Sequence, residues 1–151
     1  MALKPRLRTV AVLAAGIGAF GLVAPTAASA TTVGSSCSGN NDCVILYYNS
    51  NMGGSSEAYS SGSTGFAPSV SNLAGYTFQT TGAGQYQYVK NNAASVNNLS
   101  DSQLVIWYNS GYSGACDTID YDNDGNLHNT YNEDASFADA GNRDISSCYG
   151  L

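Results

Sequence analysis

Basic residues are scarce in this sequence. Of the five lysines and arginines, three lie between residues 4 and 8, and only Lys90 and Arg143 follow residue 30. All eleven acidic residues follow residue 30, so this part of the chain has two basic against eleven acidic side chains and a net charge of −9. Binding to nucleic acid or to an anionic membrane requires many cations that contact phosphates. We therefore expect neither partner.

Long hydrophobic runs are also lacking. The longest apolar run, at residues 10–23, is interrupted only by glycines and is shorter than the roughly 20 residues that cross a bilayer. It follows the three basic residues and precedes an Ala-Ser-Ala tripeptide at 28–30, which a signal peptidase recognises. The sequence predicts a signal peptide over residues 1–30 and a secreted, single-domain protein over residues 31–151, without a membrane anchor.

The sequence has only four cysteines, and all of them follow residue 30. An even number in an exported chain indicates two disulfides, for which three pairings exist. Cys37 and Cys43 enclose a short loop, which favours a local bridge and leaves Cys116 to pair with Cys148. A zinc site is not expected, because the spacings differ from those of zinc ligands and His128 is the sole histidine.

Helical patterns are nearly absent as well. Apolar runs rich in aromatic and β-branched residues alternate with turn clusters and predict strands at 44–48, 76–78, 86–89 and 104–108. One short segment, residues 133–140, has a helix-like pattern. The eleven tyrosines mostly alternate within strand runs, which favours packing in the core over an outward binding stripe. The expected fold class is an all-β sandwich or barrel.

An internal repeat refines this expectation. The segment Ile-Leu-Tyr-Tyr-Asn-Ser at 45–50 is echoed by Val-Ile-Trp-Tyr-Asn-Ser at 105–110, and each copy places a glycine seven residues after an aromatic residue. These pairs are Tyr47 with Gly54 and Trp107 with Gly114. Further along, Asn-Asn-Ala-Ala-Ser at 91–95 aligns with Asn-Arg-Asp-Ile-Ser at 142–146. A unit of this size cannot bury a core alone, so the two copies are expected to pack together.

An aromatic–x6–Gly element followed by an Asn-rich segment that ends in serine resembles the Greek-key motif of the βγ-crystallins. The resemblance implies a sandwich of two Greek keys, at about 43–100 and about 101–151. The predicted signal peptide and the Cys-x5-Cys pattern ahead of Val-Ile-Leu-Tyr-Tyr make the resemblance more specific. The chain resembles the small secreted actinomycete proteins grouped with the Streptomyces metalloproteinase inhibitor.

The crystallin resemblance also implies candidate calcium ligands, because oxygen atoms of Asn and Ser side chains suit a hard cation. In the first key these are Asn91, Asn92 and Ser95. In the second they are Asn142 and Ser146, where Arg143 at the second position of the motif would repel the ion. Neither set has a carboxylate at the two leading positions, so any calcium binding is expected to be weak and no cofactor is required.

Residues 120–127 match the start of an EF-hand loop, but Tyr131 stands where that loop needs its closing glutamate, and flanking helices are not predicted. A polar hairpin turn built on Asp124-Gly125 is the preferred interpretation, with a weak cation site as the alternative.

Catalysis is not expected. Any Ser–His–Asp arrangement would depend on His128, no serine lies in a nucleophile elbow, and no phosphate-binding glycine pattern occurs. The acidic residues at 117–124 and 133–134 show no spacing that identifies a catalytic pair.

The resemblance therefore implies a secreted inhibitor of a metallo- or serine protease, which acts by placing a rigid loop in the protease cleft. We expect the protein to be a monomer. The sequence does not identify that loop. Two alternatives remain open, namely a calcium-binding or structural crystallin-type module of the cell exterior, and an antimicrobial or killer-toxin-like protein. Fold-level analogy does not choose among them.

Overall fold

The computed structural model describes residues 32–34, 37, 42–60, 66–141 and 143–151. These residues contain nine short strands in two sheets. The predicted signal peptide lies outside these residues. The strands are β1 (Thr32–Gly34), β2 (Cys43–Asn49), β3 (Gly53–Ser60), β4 (Ser95–Asn98), β5 (Leu104–Asn109), β6 (Ser113–Ile119), β7 (Asn123–Asn126), β8 (Ser136–Asp139) and β9 (Tyr149–Gly150). The first sheet has the order β1-β3-β2-β4-β7, and the second has the order β8-β5-β6-β9.

Each sheet is built around one hairpin of the predicted repeat. The β2–β3 and β5–β6 hairpins are antiparallel, and both shift register immediately after the repeated aromatic residue, Tyr47 or Trp107. The matching glycines, Gly54 and Gly114, have φ angles of 73° and 91°. Glycine adopts this left-handed conformation without the strain that a side chain would add. The sequence repeat therefore corresponds to two structurally equivalent hairpins.

The two halves of the chain exchange strands. β7 follows the second hairpin in sequence but pairs with β4 at the edge of the first sheet. In return, Val70, from the first half, exchanges two backbone hydrogen bonds with Phe137 on β8, at 2.8 and 3.0 Å. Each half of the chain thus contributes backbone to both sheets, as a Greek key does. This topology confirms the predicted all-β sandwich of two Greek keys.

The hydrophobic core lies between the sheets and is centred on aromatic side chains. The ring of Tyr59 on β3 packs edge-on against Phe137 on β8, with ring centroids 5.0 Å apart, and against Tyr76 at 5.4 Å. Leu46 and Ile106, from the two repeated strands, are fully buried beside them. Burial of each large apolar side chain stabilises the fold by about 1.5–3 kcal/mol.

A second apolar cluster covers the outer face of the second sheet. Trp107 packs edge-on against Tyr112, and the Arg143 guanidinium lies over both rings, 5.3 and 4.6 Å from their centroids. The C-terminal segment that carries Arg143 returns through Cys148 to the parallel strand β9, which pairs with β6. The segment is therefore held by a cation–π contact, a disulfide and strand pairing.

The disulfides are Cys37–Cys43 and Cys116–Cys148, with Cα atoms 6.0 and 4.6 Å apart, as the sequence predicted. No cysteine of the described residues is free. Disulfides of this kind are typical of oxidising, extracellular environments. Within the described ranges we find no helix long and apolar enough to cross a membrane.

Some local predictions were wrong. The helix-like segment 133–140 contains β8, because pairing with β5 and burial of Phe137 override a weak local pattern. The segments 76–78 and 86–89 form a folded hairpin with one isolated bridge, Thr77 to Tyr88, and neither joins a sheet. The hairpin turn predicted at Asp124-Gly125 is misplaced, because both residues lie within β7 and the chain turns earlier, at Tyr121 and Asp122. The second half of the EF-hand-like segment therefore has a strand backbone.

Candidate functional site

The folded hairpin at residues 76–89 is the best-defined exposed feature of the first key, and we call it the tyrosine loop. Its two arms are joined by hydrogen bonds from the Phe78 amide to the Gln87 carbonyl at 3.0 Å and from the Tyr86 amide to the Phe78 carbonyl at 2.9 Å. The Val89 amide donates to the Tyr76 carbonyl at 2.9 Å. Phe78 and Val89 are fully buried and anchor the loop to the core.

The tip of the tyrosine loop is also tied to the sheet below it. The Ser55 amide donates to the Ala83 carbonyl at 2.8 Å, and the Ser56 amide donates to the Thr80 hydroxyl at 2.7 Å. Gly84 lies directly against the ring of Tyr48, where a β-carbon would approach the ring carbons to within 2.1–2.6 Å. The backbone of the loop is therefore fixed before any partner arrives.

Two tyrosines project from this fixed backbone. Tyr86 is 70 % exposed and has a positive φ of 66°, and Tyr88 is 63 % exposed. The expectation that tyrosines serve mainly the core holds for Tyr59 but is wrong for six of the eleven, which are exposed: Tyr86, Tyr88, Tyr108, Tyr121, Tyr131 and Tyr149. Two of these six, Tyr86 and Tyr88, lie on the tyrosine loop. The signal that could have identified them is their position among Gly82, Gly84 and glutamines, which is typical of an exposed turn and not of a buried strand.

A shallow groove of about 440 Å³ lies beside the loop and is lined by Ala74, Gly75, Tyr88, Lys90 and Asn91. The Lys90 ammonium at its edge donates to the Ser110 hydroxyl at 2.9 Å and to the Asn72 side-chain oxygen at 3.3 Å. Both partners are neutral, so these contacts do not compensate the positive charge of Lys90. The loop and groove together offer aromatic area, hydrogen-bonding groups and one cation, which suits binding.

The candidate calcium ligands of the first key have structural partners. The Ser95 hydroxyl donates to the Asn49 carbonyl at 2.6 Å and accepts from the Met52 amide at 3.0 Å. The Asn92 side chain donates to the Lys90 carbonyl at 3.2 Å. Ser95 thereby closes the turn between β2 and β3. A calcium ion at these residues would compete with these bonds, and calcium binding stays a prediction.

The structure corrects the alignment of the second key. The Ser136 hydroxyl donates to the Asn109 carbonyl at 2.7 Å and accepts from the Tyr112 amide at 3.1 Å, which repeats the bonds of Ser95. The equivalent of segment 91–95 is therefore 132–136 and not 142–146. Asn132, like Asn91, has a positive φ, and the two residues donate reciprocal amide bonds across the keys, each of 2.8 Å. The Asn-x3-Ser spacing of 91–95 occurs both at 132–136 and at 142–146, so the sequence alone does not distinguish the two segments.

The described residues of segment 142–146 make contacts of their own, and calcium binding at Asn142 and Ser146 stays a prediction. The Ser146 amide donates to the Asp144 carboxylate at 3.0 Å, and the backbone and side-chain hydrogen bonds of Ser146 lower the pKa of that carboxyl. Arg143 stacks on the aromatic pair described above, and Asn142 lies outside the described residues. Among the described residues, we find no group of three or more His, Cys, Asp or Glu side chains that could hold a metal ion.

Asp117, on β6, organises the loop at 128–130 of the second key. Its fully buried carboxylate accepts the amides of His128, Asn129 and Thr130 at 3.2, 3.0 and 2.9 Å, and the Thr130 hydroxyl at 2.6 Å. All these donors serve one carboxylate, which gives Asp117 a structural role. No local sequence pattern identifies this role, because the partners of Asp117 lie eleven or more residues away.

Asn98 also has a structural role, although Asn98-Leu99-Ser100 is a glycosylation triplet. Its side chain is fully buried, and its amide donates to the carbonyls of Ser102, Ile119 and Asp120 at 2.9, 3.3 and 3.0 Å. In the folded protein this side chain is therefore not accessible for modification.

No protein-family model and no curated protein matches the sequence. Among solved structures, the fold is similar to a chain from "Evolution of the eye lens beta-gamma-crystallin domain fold", with a TM-score of 0.48 and 13 % sequence identity over 72 % of this chain and 95 % of that chain. This similarity concerns the fold alone. The strand pairing described above makes the chain a sandwich of two Greek keys with exchanged strands, and membership of the βγ-crystallins or of the inhibitor family stays a prediction.

Proposed function

We propose that the protein is secreted after removal of residues 1–30 and inhibits a peptidase, with the tyrosine loop as the segment that enters the protease cleft. The observation that carries this proposal is the combination of a hydrogen-bonded backbone with the exposed rings of Tyr86 and Tyr88. The two disulfides and the resemblance to a secreted inhibitor family support it. The absence of enzymatic activity and the monomeric state remain predictions.

The physical basis is pre-organisation. A loop that is already fixed loses little conformational entropy on binding, so more of its contact energy appears as affinity. Tyrosine adds a large contact area with few rotatable bonds, and it is enriched among residues that dominate binding energy. The bonds from Ser55 and Ser56 and the packing of Gly84 on Tyr48 fix the tip of the loop in this way.

The test is inhibition of subtilisin-like and thermolysin-like proteases by protein secreted from cells that express the full chain. We expect inhibition of one class at micromolar or lower concentration. Truncation of a dominant interface residue costs about 2 kcal/mol or more, so Tyr86→Ala and Tyr88→Ala should each raise the inhibition constant at least roughly tenfold. Tyr121→Ala is the matched control, because Tyr121 is 68 % exposed but lies outside the loop.

Four outcomes would contradict parts of the proposal. If the wild-type protein leaves both protease classes unaffected and a pull-down from the producing culture recovers no protease, the inhibitor function is wrong. If inhibition occurs but the loop variants equal the control, another segment is the inhibitory one. A rise in melting temperature with Ca²⁺ that Ser95→Ala abolishes would favour the calcium-binding alternative, and killing of fungi or bacteria would favour the antimicrobial one.

A further inference from the structure

Three polar atoms in the core have no hydrogen-bond partner among the described residues. They are Oε2 of Glu57, the hydroxyl oxygen of Tyr59 and Oδ2 of Asp134. Glu57 is 2 % exposed, and the other two side chains are fully buried. Because a buried polar group without a partner is costly, native proteins contain few of them. Their occurrence on neighbouring segments calls for a physical explanation.

These side chains lie at the junction of the two keys. Glu57 and Tyr59 are two residues apart on β3 and therefore face the same side of the strand, where the Tyr59 ring packs against Phe137 of the second key. Asp134 precedes β8, and its Oδ1 accepts the Ala93 amide of the first key at 2.9 Å. The cluster thus touches both halves of the sandwich.

The repeat supplies an internal comparison. Glu57 pairs with Leu46 across the first hairpin, and Asp117 pairs with Ile106 across the second, so the two acidic residues are equivalent. The Asp117 carboxylate accepts four hydrogen bonds from residues 128–130. Oε2 of Glu57 accepts none. The second key therefore solvates its buried carboxylate with hydrogen-bond donors, whereas the first key leaves Oε2 of the equivalent carboxylate without one.

The charges around Glu57 do not compensate it. The carboxyls nearby, Asp134 and the exposed Glu133 beside it, are also acidic. Tyr59, which lies next to Glu57, has the phenol of Tyr76 as its remaining polar neighbour in the core. The two basic side chains of the described residues are engaged elsewhere, Lys90 with Asn72 and Ser110, and Arg143 with aromatic rings. Among the described residues, no cation thus stabilises an ionised carboxyl at Glu57.

We propose that Glu57 makes the junction of the two Greek keys pH-sensitive: the sandwich packs tightly while this carboxyl carries a proton and loosens when the proton leaves. Ionisation places an unsolvated charge between β3 and the second sheet, next to Tyr59. Because water is the nearest source of compensation, the charged form favours opening of the junction.

The direction of the effect follows from the two states. Burial raises the pKa of Glu57 from 4.5 to about 7, while in the unfolded chain the group keeps its ordinary value. The stabilising contribution is therefore complete below about pH 4.5 and is lost as the pH rises to about 7. A shift of this size corresponds to a change of about 300-fold in the folding equilibrium constant between the two limits.

The experiment compares urea unfolding of the wild type, Glu57→Gln and the matched control Glu133→Gln between pH 4 and pH 8. Glu133 is exposed and lies on the surface beside the cluster. We expect the advantage of Glu57→Gln over the wild type to grow by up to about 300-fold in equilibrium constant from pH 4 to pH 8, while Glu133→Gln stays within a few-fold of the wild type.

A carboxyl-detected NMR titration of the wild type tests the proposal without any variant. A Glu57 titration midpoint at or below pH 5 would overturn it, as would an equal advantage of Glu57→Gln at pH 4 and pH 8. Faster amide hydrogen exchange of β3 and of residues 91–93 at pH 8, beyond the intrinsic increase, is expected if ionisation opens the junction. Unchanged protection there would refute the opening.

Discussion

Replacing Asp117 by asparagine tests whether one buried carboxylate organises the second key. The substitution keeps the shape of the side chain but turns one acceptor oxygen into an NH2 group. Oδ2 accepts the amides of His128 and Thr130 and the Thr130 hydroxyl, and Oδ1 accepts the amide of Asn129. Asparagine therefore leaves at least one backbone amide, that of the partly buried Asn129 in the better orientation, facing another donor.

The expected cost follows from these contacts. An unsatisfied buried amide costs about 1–3 kcal/mol. The three bonds that remain lose their ionic acceptor, and since charge-assisted hydrogen bonds are roughly twice as strong as neutral ones, this adds about 1–2 kcal/mol in total after partial relaxation. We expect Asp117→Asn to lower the free energy of unfolding by about 2–5 kcal/mol, which reduces Tm by about 8–20 °C in a domain of this size.

The assay is urea and thermal unfolding at pH 7, with Asp124→Asn as the control. Asp124 is an exposed aspartate on β7, so the same chemical change there should alter stability by less than about 0.5 kcal/mol. The amides of residues 128–130 should also lose hydrogen-exchange protection in Asp117→Asn. A loss below about 1 kcal/mol, or one equal to that of the control, would show that the carboxylate does not hold the loop.

Three further variants test other contacts. Gly84→Ala forces a β-carbon into the Tyr48 ring, whereas the β-carbon of the control Gly75→Ala, also at positive φ, meets nothing within 4 Å. We expect thermal unfolding to show that Gly84→Ala destabilises the protein by about 1–3 kcal/mol more than Gly75→Ala does. Equal destabilisation by the two variants would contradict the contact with Tyr48. Arg143→Gln should shift the fluorescence of Trp107 and lower stability by about 0.5–1 kcal/mol, and an unchanged spectrum would argue against stacking. Asn98→Ala should cost about 2–4 kcal/mol in urea unfolding because three carbonyls lose a donor, and a neutral result would contradict that network.

The repeat made the architecture predictable from sequence. Tyr47 and Trp107, each seven residues before a glycine, marked the two hairpins, and the strands around them agree with the observed β2 and β5 to within one residue at either end. Such local signals depend only on residues close in sequence, where period and turn chemistry act directly. The disulfide pairing was likewise predictable, because the short Cys37–Cys43 loop left one remaining pair.

The candidate site was less predictable, because its members depend on partners distant in sequence. Ser136 could be recognised as the equivalent of Ser95 only after its bond to Asn109 was known. The segment between hairpin and serine has a different length in the two keys, which led the alignment to Ser146. Similarly, nothing local distinguishes Glu57 from Asp117. Their difference lies in whether a loop elsewhere in the chain offers amides to the carboxylate.

The exchange of strands between the keys has a consequence for how the chain folds. Val70 finds its partner on β8, and β4 finds its outer neighbour in β7, so neither sheet can be completed until almost the whole chain is available. Folds dominated by such non-local pairing form slowly, on the order of milliseconds to seconds, because loop closure must precede the contacts that reward it. If the chain is exported before it folds, as proposed above, slow pairing would leave it unfolded during export. Both keys would then be completed only after β7 and β8 are available.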